Sequence, residues 1–223
     1  YVSSSSVCFD DLTFINGNAV GTNNGGAIHG EGSQIEISNC SFSNNTAHRG
    51  GAFYFSSSCV VDMNLVNICN NSASDYGGGF YINGAHVTLT NCLISNNHAP
   101  RGGGIMMIYG NLWVESNTWT LNSAVTSGGS IYAYQADVNI YDSTIADNSA
   151  PEGGGFYADT AADLYVYYTD FNDSSYFCSD DSHVALLCCI YPAWICGDLL
   201  FNDDCLPISN DVMTMGQLKQ LYR

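Results

Sequence analysis

Gly153-Gly154-Gly155-Phe156-Tyr157 is the sixth statement of one short phrase. The earlier ones are Gly25-Gly26-Ala27-Ile28, Gly50-Gly51-Ala52-Phe53, Gly77-Gly78-Gly79-Phe80, Gly102-Gly103-Gly104-Ile105 and Gly128-Gly129-Ser130-Ile131. Their spacings are 25, 27, 25, 26 and 25 residues. A fixed period of this length marks a repeat architecture, in which one short unit stacks on the next.

A second pattern precedes the glycines. One period reads Ile35-x-Ile37-x-Asn39-x-x-Phe42-x-x-Asn45-x-Ala47, another Val87-x-Leu89-x-Asn91-x-x-Ile94-x-x-Asn97-x-Ala99. Alternation at Val-x-Ile is the period of a strand with one buried face. The Gly-Gly-x-Phe-Tyr segment alternates too, and a third short strand around Phe42 or Ile94 completes a coil. Asn and Gly supply turns that need positive φ. No single coil of ~25 residues can close a core, so stacking at the ~4.8 Å strand spacing is required. The expected fold is all-β: a right-handed parallel β-helix of about seven coils over residues 1–175. A leucine-rich solenoid lacks support, because there is no leucine framework and no helical segment per repeat.

Stacking sorts residues into columns. Phe14, Phe42, Ile68, Ile94, Trp119, Ile145 and Phe171 should share one inward column, and Ile28, Phe53, Phe80, Ile105, Ile131 and Phe156 another. Asn45, Asn71, Asn97, Asn122 and Asn148 align where stacked amides can bond from coil to coil. Tyr54, Tyr81, Tyr132 and Tyr157, interrupted by Met106, should form an exposed aromatic stripe. Such a stripe either offers itself to sugar rings or a partner, or its neighbouring rings cover one another.

From Tyr176 the repeat ends. Residues 176–223 carry Cys178, Cys188, Cys189, Cys196 and Cys205 and, after Ser209-Asn210, apolar residues at helical spacing. This reads as a Cys-rich C-terminal cap containing a short helix, since solenoid ends need covering.

Composition narrows the role. The 223 residues are only 11% charged, with 21 acids against four bases and a net charge of −17. That excludes nucleic acid and anionic membranes as partners. The longest apolar run, 184–196, contains Pro192 and is too short to span a bilayer. Ten cysteines point to an oxidising compartment, so the expected location is secreted or cell-surface. Asn39, Asn44, Asn70 and Asn172 open glycosylation sequons. Cys40 and Cys92 share a column two coils apart, too far for a bridge, and should be buried thiols. Cys8, Cys59, Cys69 and the five tail cysteines are the disulfide candidates.

The pairing of Gly25-Gly26-Ala27-Ile28 with Phe42-Ser43-Asn44-Asn45 resembles the repeat of the polymorphic membrane protein family of chlamydial autotransporters. The resemblance covers roughly residues 7–175, and similar repeats occur in extracellular proteins of protists and algae. That family has β-helical surface passengers implicated in adhesion, so the resemblance implies a surface or adhesive role. Nothing here resembles the membrane barrel that an autotransporter carries.

Catalytic signals are sparse. Arg49 and Arg101, the two bases of the coils, lie two coils apart. Asp10-Asp11, Asp180-Asp181 and Asp203-Asp204 are acid pairs outside the middle of the helix, and the five histidines show no ligand spacing. No enzyme, cofactor or metal is expected. Nor is an ice-binding face, because the regular outward column is Tyr rather than Thr. The expected role is an extracellular structural or adhesive glycoprotein. Its partners are itself, head to tail through coil ends with Cys8 as a staple, and glycans or other surface proteins. The alternative is a carbohydrate-binding or polysaccharide-cleaving β-helix.

Overall fold

The computed structural model describes residues 1–172, 176–178, 182–187 and 198–202. Short parallel strands wind into a solenoid of about six turns, and no residue described is helical. The turns are counted on the second sheet, whose seven strands run from Thr13–Ile15 through Ser41–Ser43, Asn67–Cys69, Leu93–Ser95, Thr118–Thr120 and Thr144–Ala146 to Asp170–Asn172. These seven stacked strands, one from each coil expected, span six turns.

The first five coils hold four strand segments rather than three, and in the sixth the extra segment is reduced to isolated bridges at Ser149 and Glu152. The Gly-Gly-x-Phe strand and the Val-x-Ile strand belong to one wide bent sheet, and fuse outright in Phe80–Thr90 and Ile105–Glu115. The unexpected segment comes after the asparagine. Asn18–Asn24, Thr46–Arg49, Ser72–Tyr76, His98–Arg101 and Ser123–Ser127 form a third sheet. Its inward residues Ala47, Ala73, Ala99 and Ala124 are buried but small, so the apolar signal there was weak.

The inward columns stack in register. Phe14 pairs with Phe42, Phe42 with Ile68, Ile68 with Ile94, Ile94 with Trp119, Trp119 with Ile145, and Ile145 with Phe171. Phe14 and Phe42 stack at 4.6 Å and Phe53 and Phe80 at 4.7 Å, making one continuous core.

Two corners hold the coil shut. At the first, Gly77 has φ +68°, and an added Cβ on Gly78 would sit 2.3 Å from the Gly103 carbonyl oxygen. At the second, Asn45, Asn71, Asn97 and Asn122 each donate Nδ2–H to the Oδ1 of the next coil's asparagine at 2.9–3.0 Å. The same Oδ1 atoms accept the backbone N–H of the preceding asparagine, and each Nδ2 also reaches a carbonyl one coil back. Buried polar groups are thereby satisfied without leaving the column.

Strand pairing overruns the boundary expected at 175/176. Tyr176–Cys178 pairs with Phe156–Asp159, His183–Leu187 with Asp163–Tyr167, and Asp198–Asn202 with His183–Leu187. The short helix expected after Asn210 lies outside the described residues.

Candidate functional site

With the interior committed to packing, any site lies on the outward columns. The tyrosine stripe is one of them: His29, Tyr54, Tyr81, Met106, Tyr132 and Tyr157 are in register on the outer face of the wide sheet. It is not exposed as expected. Tyr81, Met106 and Tyr132 are only 3, 4 and 5% accessible and form a second apolar cluster outside the main core. Tyr54 stacks on Tyr81 at 5.2 Å and Tyr132 on Tyr157 at 4.7 Å. From the flank, Arg49 lies 5.3 and 5.5 Å above the Tyr76 and Tyr81 rings while its Nε donates to Asp75 at 2.9 Å. Rings stacked along a solenoid axis spend their faces on each other, leaving edges and hydroxyls outside. Burial, then the bond donated to Asp159, holds the Tyr132 phenol far above its ordinary value.

A second ladder escaped the sequence reading. Trp113 stacks on Tyr141 at 4.6 Å and Tyr141 on Tyr167 at 4.7 Å, and burial pushes the Tyr141 phenol up to about 12. These are the outward residues of Leu112-x-Val114-x and the equivalent strands; tracing them as closely as the inward ones would have exposed the signal. The second sheet's outer face was also missed. It is small and hydroxylated at Thr13, Ser41, Ser43, Ser95, Thr118, Thr120 and Thr144.

The sequon asparagines Asn39, Asn44 and Asn70 are exposed corner residues with φ of 52–58°. Asn39 donates Nδ2–H to Asp10, while Asn44 and Asn70 occupy one corner on adjacent coils. The Asn172 sequon runs beyond the described residues.

Cys8, Cys40, Cys59, Cys69 and Cys92 all carry free thiols. Cys40 and Cys92 are buried, and burial pushes the Cys92 thiol up to about 11. Cys59 is corrected from the disulfide candidates. It is fully buried in the column of Ala85, where nothing from outside can reach its sulfur. Cys69 is half-buried and its Sγ accepts from Ser95 Oγ, whereas Cys8 is exposed. The bridges expected of Cys178, Cys188, Cys189, Cys196 and Cys205 fall outside what the structure describes.

Other chemistry-bearing residues do not converge. Arg49 and Arg101 flank Tyr76 in one column, and His48 and His98 pair with Ser74 and Ser123. Among the described residues, no three His, Cys, Asp or Glu side chains stand together as a metal site. A depression of ≈ 160 Å³ beside Asn18, His48 and Ser74 is smaller than the roughly 300–1,000 Å³ of small-molecule pockets.

Residues 62–188 match the model of a right-handed beta helix region, more than half of the chain. Residues 39–56 match the Chlamydia polymorphic membrane protein repeat. No curated protein and no solved structure matches the chain.

Proposed function

We take as premise that the chain belongs to the right-handed β-helix family, and we propose that it is a surface or extracellular repeat protein with a structural or adhesive, non-catalytic role. Fold alone names no chemistry. The observation that carries the reading is the make-up of one coil. The stretch 39–56, similar to the polymorphic membrane protein repeat, contains both Asn45 of the amide ladder and the Gly50-Gly51 corner. Those two devices recur up the solenoid, which supports reading the rest of the shaft on the same plan. A rigid shaft whose outer faces vary from coil to coil suits display. Exposed Asn39, Asn44 and Asn70 support a glycosylated product where the source cell glycosylates.

Labelling of intact, unpermeabilised source cells with antibody to this chain tests the reading. Surface signal is expected; signal only after permeabilisation overturns it. Incubation with neutral and acidic polysaccharides should release no reducing ends.

End-to-end association is part of the proposal. The first coil leaves Leu12, which aligns with buried Cys40, 44% exposed, and its strands bond on one side only. A further coil, from a second copy or from the same polypeptide, would cover that edge. Exposed Cys8 is placed to staple it. Concentration-dependent sedimentation, partly reversed by reductant, is expected. A monodisperse monomer at all concentrations rejects the self-association.

A further inference from the structure

The strand Ile105–Glu115 departs from its neighbours at two outward positions. At the bend of the wide sheet other coils place Gly84 and Gln135; this one places Tyr109, in the left-handed region at φ +59° and 49% exposed. A bulky residue there strains the backbone; the Tyr109 ring meets Tyr134 edge-on, with centroids 6.2 Å apart, and the rest of it stays open to solvent. The corner points into open space, since a Cβ added at Gly84 meets nothing within 4 Å. Four residues on, in a column that reads Glu36, Asp62, Thr88, Trp113, Asn139 and Tyr165, stands Trp113, with a polar residue on either side of it. It ends its aromatic stack: the ring lies on Tyr141, and the residue in register with it on the preceding coil is Thr88. Neither ring is demanded by the repeat.

Between the two rings runs a polar column. Exposed Asn111 is in register with His86 on one side and Asp137 on the other, and its Nδ2 donates to Asp137 at 3.3 Å. Asp163 continues the column. The Cα atoms of two residues four apart stand about 13 Å from each other along an extended strand. Hydrogen-bonding groups lie between them.

We propose that Tyr109 and Trp113, with the His86–Asn111–Asp137 column between them, bind an uncharged oligosaccharide laid along the strand. Ring faces pack against the C–H faces of pyranoses, and amide, imidazole and carboxylate groups match sugar hydroxyls. Charge selects the class. Glu115, Asp137 and Asp163 border the site, while Arg49 and Arg101 belong to the third sheet, so uronates and sulfated glycans are repelled. The proposal gives the adhesive reading a ligand and is independent of end-to-end assembly.

The test is calorimetric titration of the whole chain with cellohexaose and chitohexaose as neutral probes and oligogalacturonate as the acidic one. At least one neutral probe should bind and the acidic probe should not. Trp113→Ala should weaken binding about tenfold or more. Tyr109→Asn should do the same while melting no lower than the parent, because Asn accepts the left-handed corner. Leu65→Asn, at another exposed corner, should leave binding unchanged. Silence from both neutral probes, preference for the acidic one, or full binding by both Tyr109→Asn and Trp113→Ala overturns the site. A chain that labels the cell surface yet ignores both neutral probes keeps the surface reading and loses this one.

Discussion

The glycine corner and the asparagine-ladder corner of each coil solve the same backbone problem by opposite means. Gly77 and Asn96 both hold positive φ, at 68° and 55°. The contrast lies in the next residue of each corner. Gly78 must be bare because the next coil's backbone occupies the space of its Cβ. Asn97 must be large and polar because its amide is the material that fills the corner. One corner is built by excluding side chains and the other by stacking them. The glycine phrase therefore reports steric contact between coils, not a ligand site. Gly78→Ala attacks the excluded side. Its methyl would meet the Gly103 carbonyl oxygen at 2.3 Å and the His98 nitrogen at 2.5 Å, both backbone, so no side chain can swing aside. A loss on the order of 4 kcal/mol is expected in urea unfolding. A loss under about 1 kcal/mol would show that coils slide apart cheaply and remove the contrast.

On the stacked side, Asn97→Leu keeps the bulk and removes the bonds. Asn71 then loses the acceptor for both its backbone N–H and its Nδ2–H, and the Ile68 carbonyl and Asn122 Oδ1 each lose a donor. Stranded buried donors cost about 1–3 kcal/mol each, so a total near 3 kcal/mol is expected. Should Asn97→Leu unfold at the parent's urea midpoint, the ladder is a passenger of the packing.

Neither Gly77-Gly78 nor Asn96-Asn97 titrates, so alkali should spare both corners and strike the tyrosine ladders. Tyr141, pushed up to about 12 by burial, and Tyr132, raised further, keep their protons in the fold at a pH where an unfolded phenol, near 10, loses its own. A raised folded pKa means that the stabilisation is complete below pH 10 and is lost as pH climbs toward 12. Melting temperature should hold to about pH 10 and then fall, with phenolate absorbance lagging behind that of the urea-unfolded chain. Coincident folded and unfolded titrations would show the ladders to be open to water.

Much of this was legible because the coil repeats. Phe42, Ile68 and Trp119 announce a column by position alone, and Asn45 to Asn148 announce the ladder. What repeats less was lost. Cys59 was kept among the disulfide candidates because its coil carries an extra residue near Ser57 and Ser58, which hides its alignment with Ala85. Tyr81 was read as exposed because alternation gives the side of the sheet a ring faces, not what neighbouring coils lay over it. Trp113 and Tyr141 occupy different columns and meet diagonally, an encounter that in-register pairing does not anticipate. Past residue 175 no glycine corner marks the coil, and His183 lies only 20 residues beyond its partner Asp163, so Val184 and Leu186 looked like tail rather than strand.

The smallest effect should be a gain. At the left-handed position of the asparagine corner, Asn16, Asn44, Asn70 and Asn96 give way to Leu121 and Asp147, all with positive φ. Leu121 is 53% exposed at φ +57°, so it carries strain and buries little. That the corner accepts it at all reflects the contrast with Gly78: here the Cβ has room, and only the backbone dihedral objects. Asn adopts this conformation more readily than Leu, because its short side chain bonds locally. Leu121→Asn should therefore stabilise the fold by about 0.5–1 kcal/mol. The substitution creates an Asn-Asn-Ser sequon with Asn122 and Ser123, so bacterial expression keeps a sugar from confusing the result. Leu65→Asn, at the equivalent conformation of the preceding corner with φ +57°, should give a similar rise. If both variants melt below the parent, exposed leucines at these corners contribute packing that their accessibility hides, and the corner's tolerance is not steric freedom but a contact still to be found.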